Sequence, residues 1–176
     1  MIENKTMRLT VGGLMLALGV LLPYVTSHAF GLQGTTFLPM HFPVLLAGLT
    51  CGALYGGVCG VLAPLLSCLI TGMPPVYPML PIMLCELAVY GVLSGLLRSK
   101  TKLNIYLVLL IAMLGGRFAY AAAFDVLFYL SGSALKALTA AGAVVAGLPG
   151  IVLQILVVPA LAVAIGRIVP RKGAAA

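Results

Sequence analysis

Apolar residues run along this chain in long blocks that do not alternate, broken by short clusters of glycine, proline and polar residues. Unalternating runs of this length predict helices rather than strands. Six are predicted, over about Thr10 to Tyr24, Pro39 to Cys51, Ala53 to Ile70, Met79 to Leu97, Asn104 to Leu130 and Ala140 to Val169. The second is short, and the third follows it after almost no loop. Between helices 1 and 2, the polar, glycine-containing stretch TSHAFGLQGTTF reads as a loop. TGMPPVYP is a breaker-rich stop after helix 3, RSKTK a charged connection after helix 4, and SGSALK a polar patch before helix 6. The early part of helix 6, before Pro149, reads as loop or a broken turn.

Composition changes the picture from a helical protein to a membrane one. Of 176 residues, 62% are hydrophobic and 7% charged, with a mean hydropathy of +1.21, whereas soluble domains carry roughly 25% charged residues. The solvent is therefore lipid, in which each backbone group must be paired within the protein. At about 20 residues per span, residues 1–176 form a single all-α, six-helix membrane domain with nothing left for a soluble one. MIENKTMRL and the apolar run after it resemble a secretory signal, but no small-residue cleavage site follows cleanly, so the segment is read as helix 1.

The net charge of +7 suggests nucleic acid on a soluble protein; here it records topology. Cytoplasmic loops collect Lys and Arg. With six spans and both termini cytoplasmic, Lys5, Arg8, Arg98, Lys100, Lys102, Arg167, Arg171 and Lys172 fall inside and only Lys136 outside. An odd number of spans puts the C-terminal cluster on the wrong side. No nucleic-acid partner is expected.

Several chemistries are excluded by absence of their motifs. There is no phosphate loop of the G-x-x-x-x-G-K-[ST] type, no nucleophile elbow, no metalloprotease motif and no carboxylate pair at catalytic spacing. The chain is not expected to hydrolyse ATP, to be an enzyme or to hold a cofactor. Cys51, Cys59, Cys68 and Cys85 form no CxxC pair and read as small buried hydrophobes. His28 and His41 lack an acidic or cysteine partner at metal spacing, so no metal site is expected.

Ionisable residues within a membrane are costly and point to function. Glu86 in helix 4 and Arg117 in helix 5 are the clear cases; Asp125 falls near the outer end of helix 5. Glu86 shares a helix face with Tyr90 and Ser94, and Arg117 with Tyr120 and Phe124. Such faces suit a ligand with a polar group and an apolar body. Two readings stand together: the pair neutralises itself between adjacent helices, or the five-donor fork of Arg117 also holds a ligand carboxylate. His41, between Pro39 and Pro43, reads first as a helix-end residue. Gln154 is a mid-helix amide that needs a partner or a ligand.

Small residues at four-residue spacing let membrane helices approach closely. They occur at Gly13 and Ala17, at Gly91 and Gly95, and at Gly48, Gly52, Gly56 and Gly60. Each set either packs within the chain or docks a partner.

The runs LPMHFPVLLAG, LLSCLITGMPP, CELAVYGVLSGLL, MLGGRFAYA and GLPGIVLQILVVPAL together resemble the S components of energy-coupling factor vitamin importers, over nearly the whole chain, in a subgroup resembling the pantothenate type. The resemblance implies a multi-pass protein of the bacterial plasma membrane that captures a vitamin at its outer side. It also implies partners: a transmembrane coupling protein and two ATPase subunits. The family's docking feature, a small-xxx-small face on helix 1, is matched by Gly13 and Ala17, with glycine where alanine is typical. The family's ligand position maps onto Glu86, Tyr90, Arg117, Tyr120 and Gln154, with Thr26 to Phe37 as a lid and His41 and Thr71 as weaker candidates. Pantothenate is the first choice of substrate; riboflavin, folate, a pyridoxine-like vitamin and cobalamin are alternatives, and a non-transport membrane scaffold is the alternative of a different class.

Overall fold

The computed structural model describes residues 2–30, 37–130, 142, 145 and 147–168, without the side chains of 27–30, 130 and 168. Among these, the regular structure is entirely helical. The six helices are α1 (Lys5–Phe30), α2 (His41–Cys51), α3 (Ala53–Thr71), α4 (Met79–Lys100), α5 (Ile105–Leu130) and α6 (Leu148–Ile168). All but α2 are long and apolar enough to cross a membrane. Proline lies inside α1, α3 and α6 (Pro23, Pro64 and Pro159), which neighbouring helices make tolerable in lipid.

The ends of the elements correct the expected boundaries. α1 begins at Lys5 and continues through Thr26–Phe30, where the sequence pattern predicts loop. Polar side chains do not stop a helix whose backbone has no water to turn to: the Thr26 hydroxyl donates back to the carbonyls of Leu22 at 2.8 Å and Pro23 at 3.2 Å. Of the rest of the expected lid, residues 31–36 lie outside the described residues and only Phe37 is described. α4 takes in Arg98 and Lys100 as a basic last turn, where cations suit exposed carbonyls. α6 begins at Leu148; of the stretch from 140 to 146, Gly142 and Val145 are helical and the other residues lie outside the described residues.

The most consequential local feature is the reversal at Gly52. Its φ of 104° and ψ of 174° are open to glycine and close to prohibitive for other residues. Four residues to either side, Gly48 and Gly56 meet: a Cβ on Gly56 would lie 2.7 Å from the Gly48 Cα. α2 and α3 are therefore an antiparallel hairpin with a one-residue turn. α4 then runs antiparallel along α3, with Gly95 against Gly52 and Ala53, Gly91 against Gly56, and Leu87 against Gly60.

α2 is the buried axis of the bundle. Every residue in it except Phe42 is buried, and it touches α1, α3, α4 and α6. α5 closes on α4 and α6. The N-terminal residues cap the turn end of the hairpin, since the Ile2 amide donates to the Thr50 carbonyl at 2.9 Å. α2 ends there, beside the basic ends of α1 and α4, and spans only 11 residues, or about 16 Å at 1.5 Å per residue. Its N-terminus therefore stops near mid-membrane, inside a ring of longer helices.

Candidate functional site

Depth can be counted along each helix from its basic end. Glu86 lies 14 residues before Lys100, Arg117 12 after Ile105, Gln154 14 before Ile168, and His41 10 before Cys51. At 1.5 Å per residue these are about 21, 18, 21 and 15 Å. By this count polar residues from four helices lie at similar depths along their own helices, and α2 begins with one of them.

Three of them converge on one atom. Glu86 Oε1 lies 3.0 Å from Arg117 Nη1 and 3.5 Å from His41 Nε2. The carboxylate side chain is 2% exposed, the imidazole 2% and the guanidinium 11%. The contact with Arg117 is an ion pair and that with His41 a close polar approach, neither with the alignment of a hydrogen bond at Oε1. Tyr90, one turn along α4 from Glu86, stands edge-on to His41 with ring centroids 5.2 Å apart. Its ring lies over Gly116 of α5, where a Cβ would come within 2.7 Å of it. The glycine before Arg117 is thus what lets α5 press against Tyr90 and bring the guanidinium to Glu86.

α2 presents its N-terminus here without the usual devices. Met40 makes no side-chain cap, and no acidic residue occupies the first turn, although buried helix ends ordinarily find such partners. The preceding Leu38 is buried and held at φ 51°, a left-handed conformation that a branched side chain enters at a cost of roughly 1–2 kcal/mol. Its carbonyl accepts from the His41 amide at 3.1 Å, so the strain goes into turning the chain into α2.

The remaining hydrogen-bonding capacity is the chemical signature of the site. Arg117 Nη1 faces Glu86, while Arg117 Nε and Nη2 are buried with no protein partner. Nε and Nη2 form the side of the guanidinium that takes a carboxylate bidentately. His41 Nδ1 and both amide atoms of Gln154 are likewise without partners. Along α5, one face continues outward from Arg117 as Tyr120, Phe124 and Phe128, with successive ring centroids 6.2 and 4.3 Å apart. With Ile82 of α4 these form a cluster separate from the main core.

Of the residues singled out in the sequence, Glu86, Tyr90, Arg117 and His41 come together, with Tyr120 one turn along α5. Gln154 reaches the same level on the buried face of α6. Thr71 does not: it ends α3 about 27 Å from Ala53 at 1.5 Å per residue. Its hydroxyl donates to Ser67 at 2.7 Å and Met73 at 3.3 Å, closing its own turn. Ser94, one face-step beyond Tyr90, donates to Gly91 at 3.1 Å and fills the space a Cβ on Gly48 would need. In the sequence Glu86 and Arg117 stand out by their charge, while His41 draws less attention because its position depends on the reversal at Gly52. Gly13, by contrast, has open space where a Cβ would stand, with nothing within 4 Å, and it and Ala17 are exposed on α1.

An all-helical bundle of lipid-length helices, enclosing unsatisfied polar groups at mid-depth and carrying no catalytic constellation among the described residues, defines a membrane-embedded binding protein. Comparison with protein families makes this particular: residues 7–162 match the model of the ECF transporter substrate-specific component. The chain belongs to that family, and is a substrate-binding membrane subunit that works with an ECF module. No curated protein and no solved structure matches it.

Proposed function

We propose that the chain captures a water-soluble vitamin bearing a carboxylate, with pantothenate as first choice, for ATP-driven uptake across a bacterial plasma membrane with both termini cytoplasmic. The carboxylate lies on the Nε and Nη2 edge of Arg117. Glu86 holds the other side of the guanidinium and fixes its direction, and His41 steadies Glu86 from the head of α2. Tyr90, Tyr120 and Gln154 line the remaining surface.

The observation that supports this reading is the unpartnered edge of Arg117. A guanidinium buried in a membrane-spanning bundle with two nitrogens idle is costly, and a bidentate anion removes that cost with matching geometry. Gly13 and Ala17 form the face on α1 that meets a transmembrane coupling protein, itself driven by two ATPase subunits. Their openness to the surroundings agrees with a docking role.

Mass spectrometry of small molecules released on denaturing the purified protein tests the substrate. Stoichiometric pantothenate is expected from the wild type and none from Arg117→Gln. A vitamin without a carboxylate would overturn the anion reading, and no ligand even after incubation with a vitamin panel would favour a scaffold.

A further inference from the structure

Glu86 Oε1 stands 3.0 Å from Arg117 Nη1 and 3.5 Å from His41 Nε2, so one anion, one cation and one imidazole share a buried site. Among the described residues no other charged side chain lies at this depth. α1, α3 and α6 pack against α2 together with α4, and carry Asp, Glu, Lys or Arg only as Lys5, Arg8 and Arg167, at their basic ends. α4 adds Tyr90, edge-on to His41, and Arg98 and Lys100 in its last turn. Asp125 of α5 is exposed 20 residues beyond Ile105, or about 30 Å along the helix. The thiols and phenols of these helices, Tyr90 included, are uncharged near neutral pH.

The Glu86–Arg117 pair is neutral by itself. His41 is the first residue of α2, at the positive end of that helix, which disfavours a second cation. A ligand carboxylate adds one negative charge. The helix end supplies the equivalent of about half a charge, so net negative charge would stay buried among apolar helices, where unbalanced charge is costly. Imidazole is the side chain whose charge ordinarily changes near neutral pH, and carboxyls titrate about two units lower. With Nε2 of His41 turned to Glu86, the neutral ring carries its hydrogen there and leaves Nδ1 as the basic nitrogen. Nδ1 is buried with no protein partner. We propose that the ligand carboxylate is captured together with one proton from the external solution, which adds to Nδ1 of His41 and makes the occupied site electroneutral. This rests on the carboxylate reading above.

The test is calorimetric titration of the full-length protein in detergent with pantothenate, in phosphate and in Tris, whose different ionisation enthalpies give the number of protons taken up. About one proton per pantothenate is expected at about pH 8, and Kd should weaken about tenfold per pH unit above the ordinary imidazole range. In His41→Gln the uptake and the pH dependence should both vanish. Binding by the wild type without proton uptake overturns the inference, and so does uptake that persists in His41→Gln, which would put the proton on Glu86. Should that variant not fold, nitrogen-15 spectra of the two histidines, assigned with His28→Gln, decide instead: pantothenate must turn His41 into imidazolium, and an unchanged His41 signal overturns the inference. If pantothenate does not bind, the substrate choice has failed, and biotin, another monocarboxylate, takes its place in the same titration. If neither binds, the carboxylate reading falls and this inference with it.

Discussion

The α2, α3 and α4 contact and the polar level above it are built by opposite rules. In the inner half the helices meet backbone to backbone. A Cβ on Gly91 would sit 2.0 Å from the Gly56 carbonyl oxygen, one on Gly60 2.3 Å from that of Leu87, and one on Gly95 2.3 Å from the Ala53 nitrogen. The Ser94 hydroxyl that enters this seam is hydrogen-bonded within its own turn. One level outward, Arg117, His41 and Gln154 are buried with donors and acceptors unused. The first region gains stability from close approach without a hydrophobic drive between helices. The second spends part of it to keep polar groups available, as binding sites do.

The sharpest break of this contrast is Gly91→Leu. The clash is with backbone on a facing helix, which cannot swing away as a side chain can, so the usual overpacking cost of about 1–3 kcal/mol is a lower bound. No monodisperse folded protein is expected on size-exclusion chromatography in detergent. A variant that runs and melts like the wild type would show that α3 and α4 do not meet at this seam.

Glu86→Ala comes next. It leaves Arg117 buried without its counter-charge, and breaking one partner of a buried pair costs about 3–5 kcal/mol. Replacing both as Glu86→Gln with Arg117→Gln removes the uncompensated charge, so most of the melting temperature should return while vitamin binding does not. Recovery of both would mean that the pair serves only itself. Recovery of neither would mean that it is needed for folding, and the two regions would then differ less than the geometry indicates.

How far these regions are legible in the sequence follows from the same physics. Helix number, the short second helix and the stop at TGMPP are readable because long apolar blocks and breakers are local signals. So are Glu86 and Arg117, since charge within such blocks is conspicuous. The glycine spacing is visible, but not whether it faces inward: Gly56 and Gly91 are zipped while Gly13 is open, and only the assembled helices separate them. His41 is understated because its neighbours come from α4 and α5, and it reaches them only through the single-residue reversal at Gly52. The continuation of α1 to Phe30 escapes a sequence reading because Ser, Thr and His count as loop formers in water. In a dry setting Thr26 bonds back into its own helix instead.

Gly13→Leu carries the comparison to its smallest effect on the chain itself. It is the substitution made at Gly91, with the same side chain, at a glycine with nothing around it. Within the isolated subunit a surface exchange of this kind is expected to stay within about 0.5 kcal/mol of the wild type, with helix propensity favouring leucine. Thermal melting and vitamin affinity should both be unchanged. Co-purification with the ECF module should be lost, because a leucine on the small-residue face holds a facing helix away. If the variant assembles normally, the open face of α1 is merely lipid-facing and the module docks elsewhere. If the isolated variant melts low, Gly13 is a packing glycine of the Gly91 kind, and the division between a zipped interior and an open docking face fails at the residue chosen to mark it.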